Sequence, residues 1–206
     1  FKGYTSTFDT TGSEEEGFKD AISGFETTTA TSSSDVDYGS IFLEFVARDA
    51  WAGYTIGAEW IPGEATLGTK SRTDTQSDSS ETSNDSGTYT AKAEVSNAFT
   101  IYLEPTLYAT ESFGLYVKGG ASRVTVKSLE SITFGESSAV YGDEEVWGAL
   151  LGAGVRYTHD SGFLVKLEYS QIDYNDVTLT STTGNKNRIK AAPEQEAVSL
   201  AIGFQF

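Results

Sequence analysis

The side chains able to do chemistry in this 206-residue chain fall into two sets. One is acidic and clustered: Glu14-Glu15-Glu16, Asp35 with Asp37, and Asp143-Glu144-Glu145. Hard divalent cations favour carboxylate oxygens, so Asp35, Asp37, Asp143, Glu144 and Glu145 are candidate ligands for calcium or magnesium. No spaced ligand loop of the EF-hand kind accompanies them, and a hydrated, self-repelling surface accounts for the same clusters. The other set is mixed in sign. Glu44, Glu59, Glu104 and Glu168 occur with Arg48, Lys118, Arg156 and Lys166 inside segments that are apolar at every second position. Isolated charges held in a narrow, partly dry interior are costly, so these four acids and four bases are expected to pair.

Other chemistries are poorly supplied. The single histidine, His159, stands beside Asp160 in a short polar break that reads as a turn. The absence of cysteine excludes a disulfide framework and a thiolate metal site. A net charge of −16 leaves no cationic surface to neutralise phosphates, which argues against nucleic acid as a partner. No phosphate-cradling glycine loop is present, and no cofactor is implied. Asn84-Asp85-Ser86 fits a glycosylation pattern, but in a Ser/Thr-rich stretch such matches arise by chance.

The elements that must position the mixed-charge set are strands. Eight segments, at about 1–8, 38–48, 52–61, 94–109, 113–127, 146–158, 163–172 and 197–206, alternate with a period of two, the first of them least clearly. Ile41, Leu43, Phe45 and Ala47 share one face, and Tyr54, Ile56, Ala58 and Trp60 another. The opposite faces carry the charged set together with small residues such as Ser40, Thr55, Gly57, Gly120, Gly152, Gly154 and Ser199. Three short breaks, at Arg48–Trp51, Thr110–Phe113 and His159–Gly162, have hairpin length. They alternate with long polar stretches at 9–37, 62–93, 128–145 and 173–196, which hold 22 acidic and 7 basic residues and so nearly all of the net charge. Within the first, Gly17–Phe25 has a helical spacing of Phe18 and Ile22. The Thr69–Thr90 stretch is expected to be ordered by neighbouring loops or by an assembly.

Which face points inward decides the class. A soluble barrel would bury the apolar face, and a membrane barrel would turn it to lipid. Aromatics at both ends of the apolar stripes favour lipid, because amphipathic rings prefer the two interfaces. Trp51, Tyr108, Phe113, Tyr157, Phe163 and Phe206 lie near the short breaks; Tyr38, Trp60 and Trp147 lie near the long ones. The small residues on the polar face suit a narrow lumen. The expected fold is therefore all-β, an eight-stranded antiparallel up-and-down transmembrane β-barrel forming a single domain over 1–206. Phe1 is expected to lie close to a processed amino terminus, with a signal peptide already removed.

The final segment, Ala197-Val-Ser-Leu-Ala-Ile-Gly-Phe-Gln-Phe206, resembles the last strand of bacterial outer-membrane barrels, with apolar residues alternating up to a terminal Phe. Gly154-Val-Arg-Tyr157, a short turn, and Leu167-Glu-Tyr-Ser-Gln-Ile-Asp-Tyr-Asn-Asp-Val177 together resemble the closing hairpin of small barrels of the OmpA and OmpX type. The resemblance implies an outer-membrane location, periplasmic termini and short turns, and four long acidic extracellular loops. It implies that Phe204 and Phe206 form the signal read by the barrel-assembly machinery. OmpA-type proteins often continue into a peptidoglycan-binding domain; this chain stops at the barrel, so a cell-wall anchor is not expected. Deacylase and palmitoyltransferase barrels use a histidine near the outer leaflet, whereas His159 falls in a turn assigned to the periplasm, so enzyme activity is not expected.

Three functions fit these readings. One is a structural surface barrel with a salt-bridged, plugged lumen, whose acidic loops pack with neighbours, associate with copies of itself or hold divalent cations against lipopolysaccharide phosphates. Another is a narrow, porin-like ion channel gated by exchange of the lumen charges. The third is an adhesin or phage receptor acting through the loops. Partners common to all are outer-membrane lipids and lipopolysaccharide.

Overall fold

The computed structural model describes residues 1–15, 27–74, 87–132, 140–182 and 188–206. Glu16, the Gly17–Phe25 segment, the Asn84-Asp85-Ser86 pattern and most of the Thr69–Thr90 stretch lie outside the described residues. Nine strands follow one another: β1 (Lys2–Glu15), β2 (Thr27–Arg48), β3 (Ala52–Asp74), β4 (Gly87–Tyr108), β5 (Phe113–Ile132), β6 (Val140–Thr158), β7 (Phe163–Tyr174), β8 (Val177–Thr180) and β9 (Arg188–Phe204). Neighbours in sequence pair antiparallel from β1 to β7, and β9 closes the sheet on β1, with Lys2 opposite Ala201. β8 pairs with the upper part of β9 while β7 pairs with its lower part, so the two together form one stave. The result is a closed eight-stranded barrel with one short extra strand. Closure removes free edges across the apolar band, which is what a β-sheet needs in order to cross a bilayer; above Ile41 and Trp60, β2 and β3 no longer pair with each other.

The short breaks are tight turns, as their length implies. In the last one, the His159 amide donates to the Phe163 carbonyl and the Gly162 amide to the His159 carbonyl, both at 2.8 Å. Gly162 has a φ of 88°, and a Cβ there would stand 2.3 Å from the Gln205 carbonyl oxygen, so the position admits only glycine.

The apolar faces turn outward. Leu43 is 76% exposed, and Phe45, Ile56, Ile101, Leu115, Val117, Leu151, Leu167 and Leu200 are exposed on the same band. Two aromatics assigned above to the girdles instead belong to the interior. Tyr38 stacks on Tyr4 with ring centroids 4.5 Å apart, and Tyr108 lies under the Arg48 guanidinium at 3.8 Å. Both share the strand phase of the polar face, which outweighs their closeness to a strand end.

The strands run well past the segments read from periodicity. A membrane-spanning strand takes about 9–11 residues, yet β2, β3 and β4 have 22, 23 and 22. Much of the Ser-, Thr- and Asp-rich sequence taken as loop is therefore sheet that rises beyond the apolar band. The sheet adjusts where it leaves that band. Pro62 and Gly63 form an irregularity between Ile61 and Glu64, and Asn97, with a φ of 53°, makes a bulge opposite it. Below Asn97 the buried positions of β4 are even (Thr100, Tyr102, Glu104, Thr106). Above it, Ala93 and Val95 turn inward, because the extra residue of a bulge reverses the phase.

The interior changes character at the same level. Within the band it is polar. Above it, Phe8, Leu67, Val124, Val146, Val177 and Leu179 face inward and pack into an apolar cluster. The molecule is a membrane barrel at one end and has the inward hydrophobicity of a soluble barrel at the other.

Candidate functional site: a charged lattice across the lumen

Register builds the site. Each long charged side chain in the lumen stands beside a small residue on a neighbouring strand. Glu44 lies opposite Gly57, Glu104 opposite Thr55, Lys118 opposite Gly152, Glu168 opposite Gly154 and Ser199, and Lys2 opposite Ser40 and Ala201. Large and small thus alternate around the wall, as a narrow barrel requires if its interior is to be filled.

The charges join in an unbroken series. Lys166 Nζ lies 2.5 Å from Glu44 Oε1 and 2.7 Å from Glu104 Oε2. Lys118 Nζ lies 3.1 Å from Glu104 and 2.7 Å from Glu168. Lys2 Nζ completes it, 2.7 Å from Glu168 and 3.6 Å from Glu59. Six strands contribute, and none of the seven side chains is more than 6% exposed.

Hydroxyls donate to three of the four carboxylates. Tyr102 donates to Glu44 at 2.9 Å, Tyr116 to Glu168 at 2.9 Å, and Ser40 to Glu59 at 2.5 Å; Tyr4 also donates to Glu59. The Lys118 ammonium sits 3.9 Å from the Tyr102 ring centroid, and Lys166 sits 4.7 Å from that of Tyr116. Charge-assisted hydrogen bonds and cation–π contacts of this kind offset the desolvation that a buried ion otherwise suffers.

Arg156, 1% exposed, lies directly opposite Lys166 across β6 and β7. Two cations so placed repel, and they turn apart: Lys166 to the carboxylates, Arg156 Nη1 to Thr55 Oγ1 at 3.0 Å. With Arg156 included, the buried set holds four acids and four bases.

The sequence reading placed Arg48, rather than Lys2, among the bases. Arg48 is in phase with the lumen but belongs to the short-turn end, where it covers Tyr108 and donates to the Thr110 and Glu111 carbonyls. Lys2 was missed because the first strand is short on apolar alternation. Its signal was its phase with Tyr4, Ser6 and Phe8.

Two inward glycines make room for the rings. A Cβ on Gly57 would lie 2.2 Å from the Tyr102 ring, and one on Gly154 would lie 2.6 Å from that of Tyr116. Gly57→Leu is therefore expected to destabilise the barrel by about 1–3 kcal/mol through overpacking, read as a lower urea midpoint. Loss of the Tyr102–Glu44 hydrogen bond should follow.

The acidic candidates fall elsewhere. Asp35 and Asp37 lie on β2, and Asp143, Glu144 and Glu145 on β6, four staves away around the barrel. Asp35 accepts from Thr7 Oγ1 at 2.8 Å, and Glu145 pairs with Arg123 at 3.2 Å. Among the described residues no group of three or more His, Asp or Glu side chains could hold a metal ion. Other exposed pairs tie the upper strands. Glu15 meets Lys190 at 2.7 Å and Arg188 at 3.5 Å across the closing seam, and the Lys190 hydrogen bond holds its carboxyl below the usual range. Glu64, 2.9 Å from Lys127, holds that ammonium above its usual range in the same way. His159 is engaged within its own turn, its Nδ1 2.9 Å from Ser161 Oγ.

The chain is similar in fold to Ail, the attachment invasion locus protein of Yersinia pestis, solved alone and in complex with the heparin analogue sucrose octasulfate. Identity to both structures is 11%, with 96% of this chain covered, 97% and 98% of theirs, and a TM-score of 0.35. Neisserial surface protein A is 10% identical over 95% of this chain and 96% of its own, with a TM-score of 0.28. Among curated protein sequences none matches the chain. Residues 10–206 match the family described as "Outer membrane protein beta-barrel domain". With its outward apolar band, closed sheet and long polar hairpins, the chain belongs to that outer-membrane β-barrel family and is a bacterial surface barrel whose long hairpins are extracellular.

Proposed function

We propose that this barrel is a structural surface protein whose lumen is plugged by its own charges. The observation that carries the reading is the series from Glu44 to Glu59, which reaches from wall to wall through Lys166, Glu104, Lys118, Glu168 and Lys2. An eight-stranded barrel has an interior that side chains can fill, and here every carboxylate in the series has at least one lysine partner. An ion that passed would have to part pairs lying in a low-dielectric wall. On this reading both termini and the short turns face the periplasm. Phe204 and Phe206 act as the assembly signal, and lipids and lipopolysaccharide surround the apolar band. The acidic hairpins form a hydrated outer surface that meets other molecules.

Planar-bilayer recording of the refolded protein at two salt concentrations tests this. The plugged barrel leaves the bilayer silent at both. Resolved openings whose size changes when Arg156 or Glu104 is replaced would contradict the plug and establish a narrow gated channel.

A further inference from the structure

Above the charged series the lumen holds a cavity of about 250 Å³. A hydrogen-bonded layer bounds it below: Gln195 donates to the Tyr38 hydroxyl and accepts from that of Tyr174 at 3.4 Å. Phe8, Leu67, Val124, Val146 and Val177 line its walls. Native cores rarely keep voids larger than one water molecule. Small residues preserve this one, since Gly12, Ala30, Gly68, Ala93 and Ala191 stand where larger apolar side chains would fill the space. Water gains little there, because a buried water needs two to four polar partners and apolar cavities of about 150 Å³ stay dry and bind benzene.

Shape narrows the occupant. The cavity follows β1 from Phe8 through Thr10 to Gly12 and β5 from Val124 through Val126 to Ser128. Four residues of strand rise make it about 13 Å tall. At ~30 Å³ per water-sized group it has room for roughly eight. Thr10, Thr31, Thr69 and Ser128 line the same cavity, with one charged residue, Lys92.

We infer that this cavity binds one linear alkyl or acyl chain of about eight carbons, tail down on the valines and hydrogen-bonding head among these polar residues. The cavity stands above the lipid-facing band, beyond the last β2–β3 pair at Ile41 and Trp60, and its volume admits one such chain. The ligand is therefore a free single-chain amphiphile rather than a two-chain lipid of the bilayer.

The test is a set of nuclear Overhauser contacts from 1-octanol, an uncharged probe on which the acidic hairpins exert no pull. They are measured to the valine methyls of the full chain in nanodiscs of deuterated lipid. Contacts to Val124, Val126, Val146 and Val177 that saturate are the expected result, and Ala191→Phe should abolish them while leaving the outward Val117 and Val198 contacts unchanged. Protonated two-chain phospholipid should reach only Val117 and Val198. Octanol contacts confined to Val117 and Val198 overturn the proposal, as do inward contacts that persist in a folded Ala191→Phe protein. Inward contacts made equally by the phospholipid overturn the single-chain assignment. The unsubstituted protein alone decides the matter if the variant does not fold.

Discussion

Glu104→Ala is expected to destabilise the barrel by about 3–5 kcal/mol, the cost of breaking a buried pair and leaving its partner's charge uncompensated. The Glu104 side chain is 0% exposed and lies between two ammoniums, 2.7 Å from Lys166 and 3.1 Å from Lys118. Truncation leaves Lys166 with Glu44 alone and Lys118 with Glu168, which Lys2 already shares. The buried set then holds three acids against four bases, Arg156 included. Equilibrium urea unfolding from lipid vesicles reads the change as a shifted midpoint with little change in slope. Arg48→Ala is the control. Its guanidinium is exposed, and its cation–π contact and two hydrogen bonds to turn carbonyls compete with water, so the loss should be about 0.5–1 kcal/mol. Equal effects at Glu104 and Arg48 would show that the lattice contributes no more than a surface contact.

Val117→Arg is the second large effect. Val117 is 58% exposed on β5, about midway between Phe113 near the short turn and Arg123 at the upper edge of the apolar band. An arginine at mid-bilayer on the lipid face costs about 2–4 kcal/mol, falling to about 0–1 near the interface. Thr125→Arg, on the same outward phase but above the band and opposite Glu145, should fall in the lower range. Vesicle unfolding of the two variants measures where the lipid ends along one strand. Equal costs would mean that the upper hairpins lie in lipid, contrary to the polarity of their outer faces.

The sequence made the membrane barrel legible because a strand period of two and a bilayer act on the same residues. Leu43, Ile56, Val117 and Leu200 alternate with Glu44, Gly57, Lys118 and Ala201, and that contrast survives without knowledge of any partner strand. Beyond the bilayer the contrast fails. Both solvent and a weakly apolar interior tolerate Ser and Thr, so Thr27–Asp37 and Pro62–Asp74 read as loops although β2 and β3 run through them.

The membership of the charged set was mostly legible and its partners were not. Lys166 reaches Glu44 across 122 residues, and Lys2 reaches Glu168 across 166, because long side chains meet over the lumen rather than along the sheet. Tyr102 and Tyr116, which orient the carboxylates, carry no distinguishing sequence mark except the inward glycines that their rings overlie, Gly57 and Gly154. The apolar upper chamber was hidden by the Asn97 bulge, which reverses the inward phase of β4, and by the shortness of the side chains that line it.

The most direct measurement of the charged lattice is the nitrogen-15 spectrum of the lysine side chains of the protein in lipid nanodiscs. Of nine lysines, Lys2, Lys118 and Lys166 are buried in the series. The account predicts that these three give resolved ammonium signals in slow exchange with water, and that Glu104→Gln speeds exchange at Lys118 and Lys166 while sparing Lys2. Exchange at the rate of exposed lysines for all three would contradict it, since ammoniums held in a closed lumen cannot trade protons with bulk water that freely.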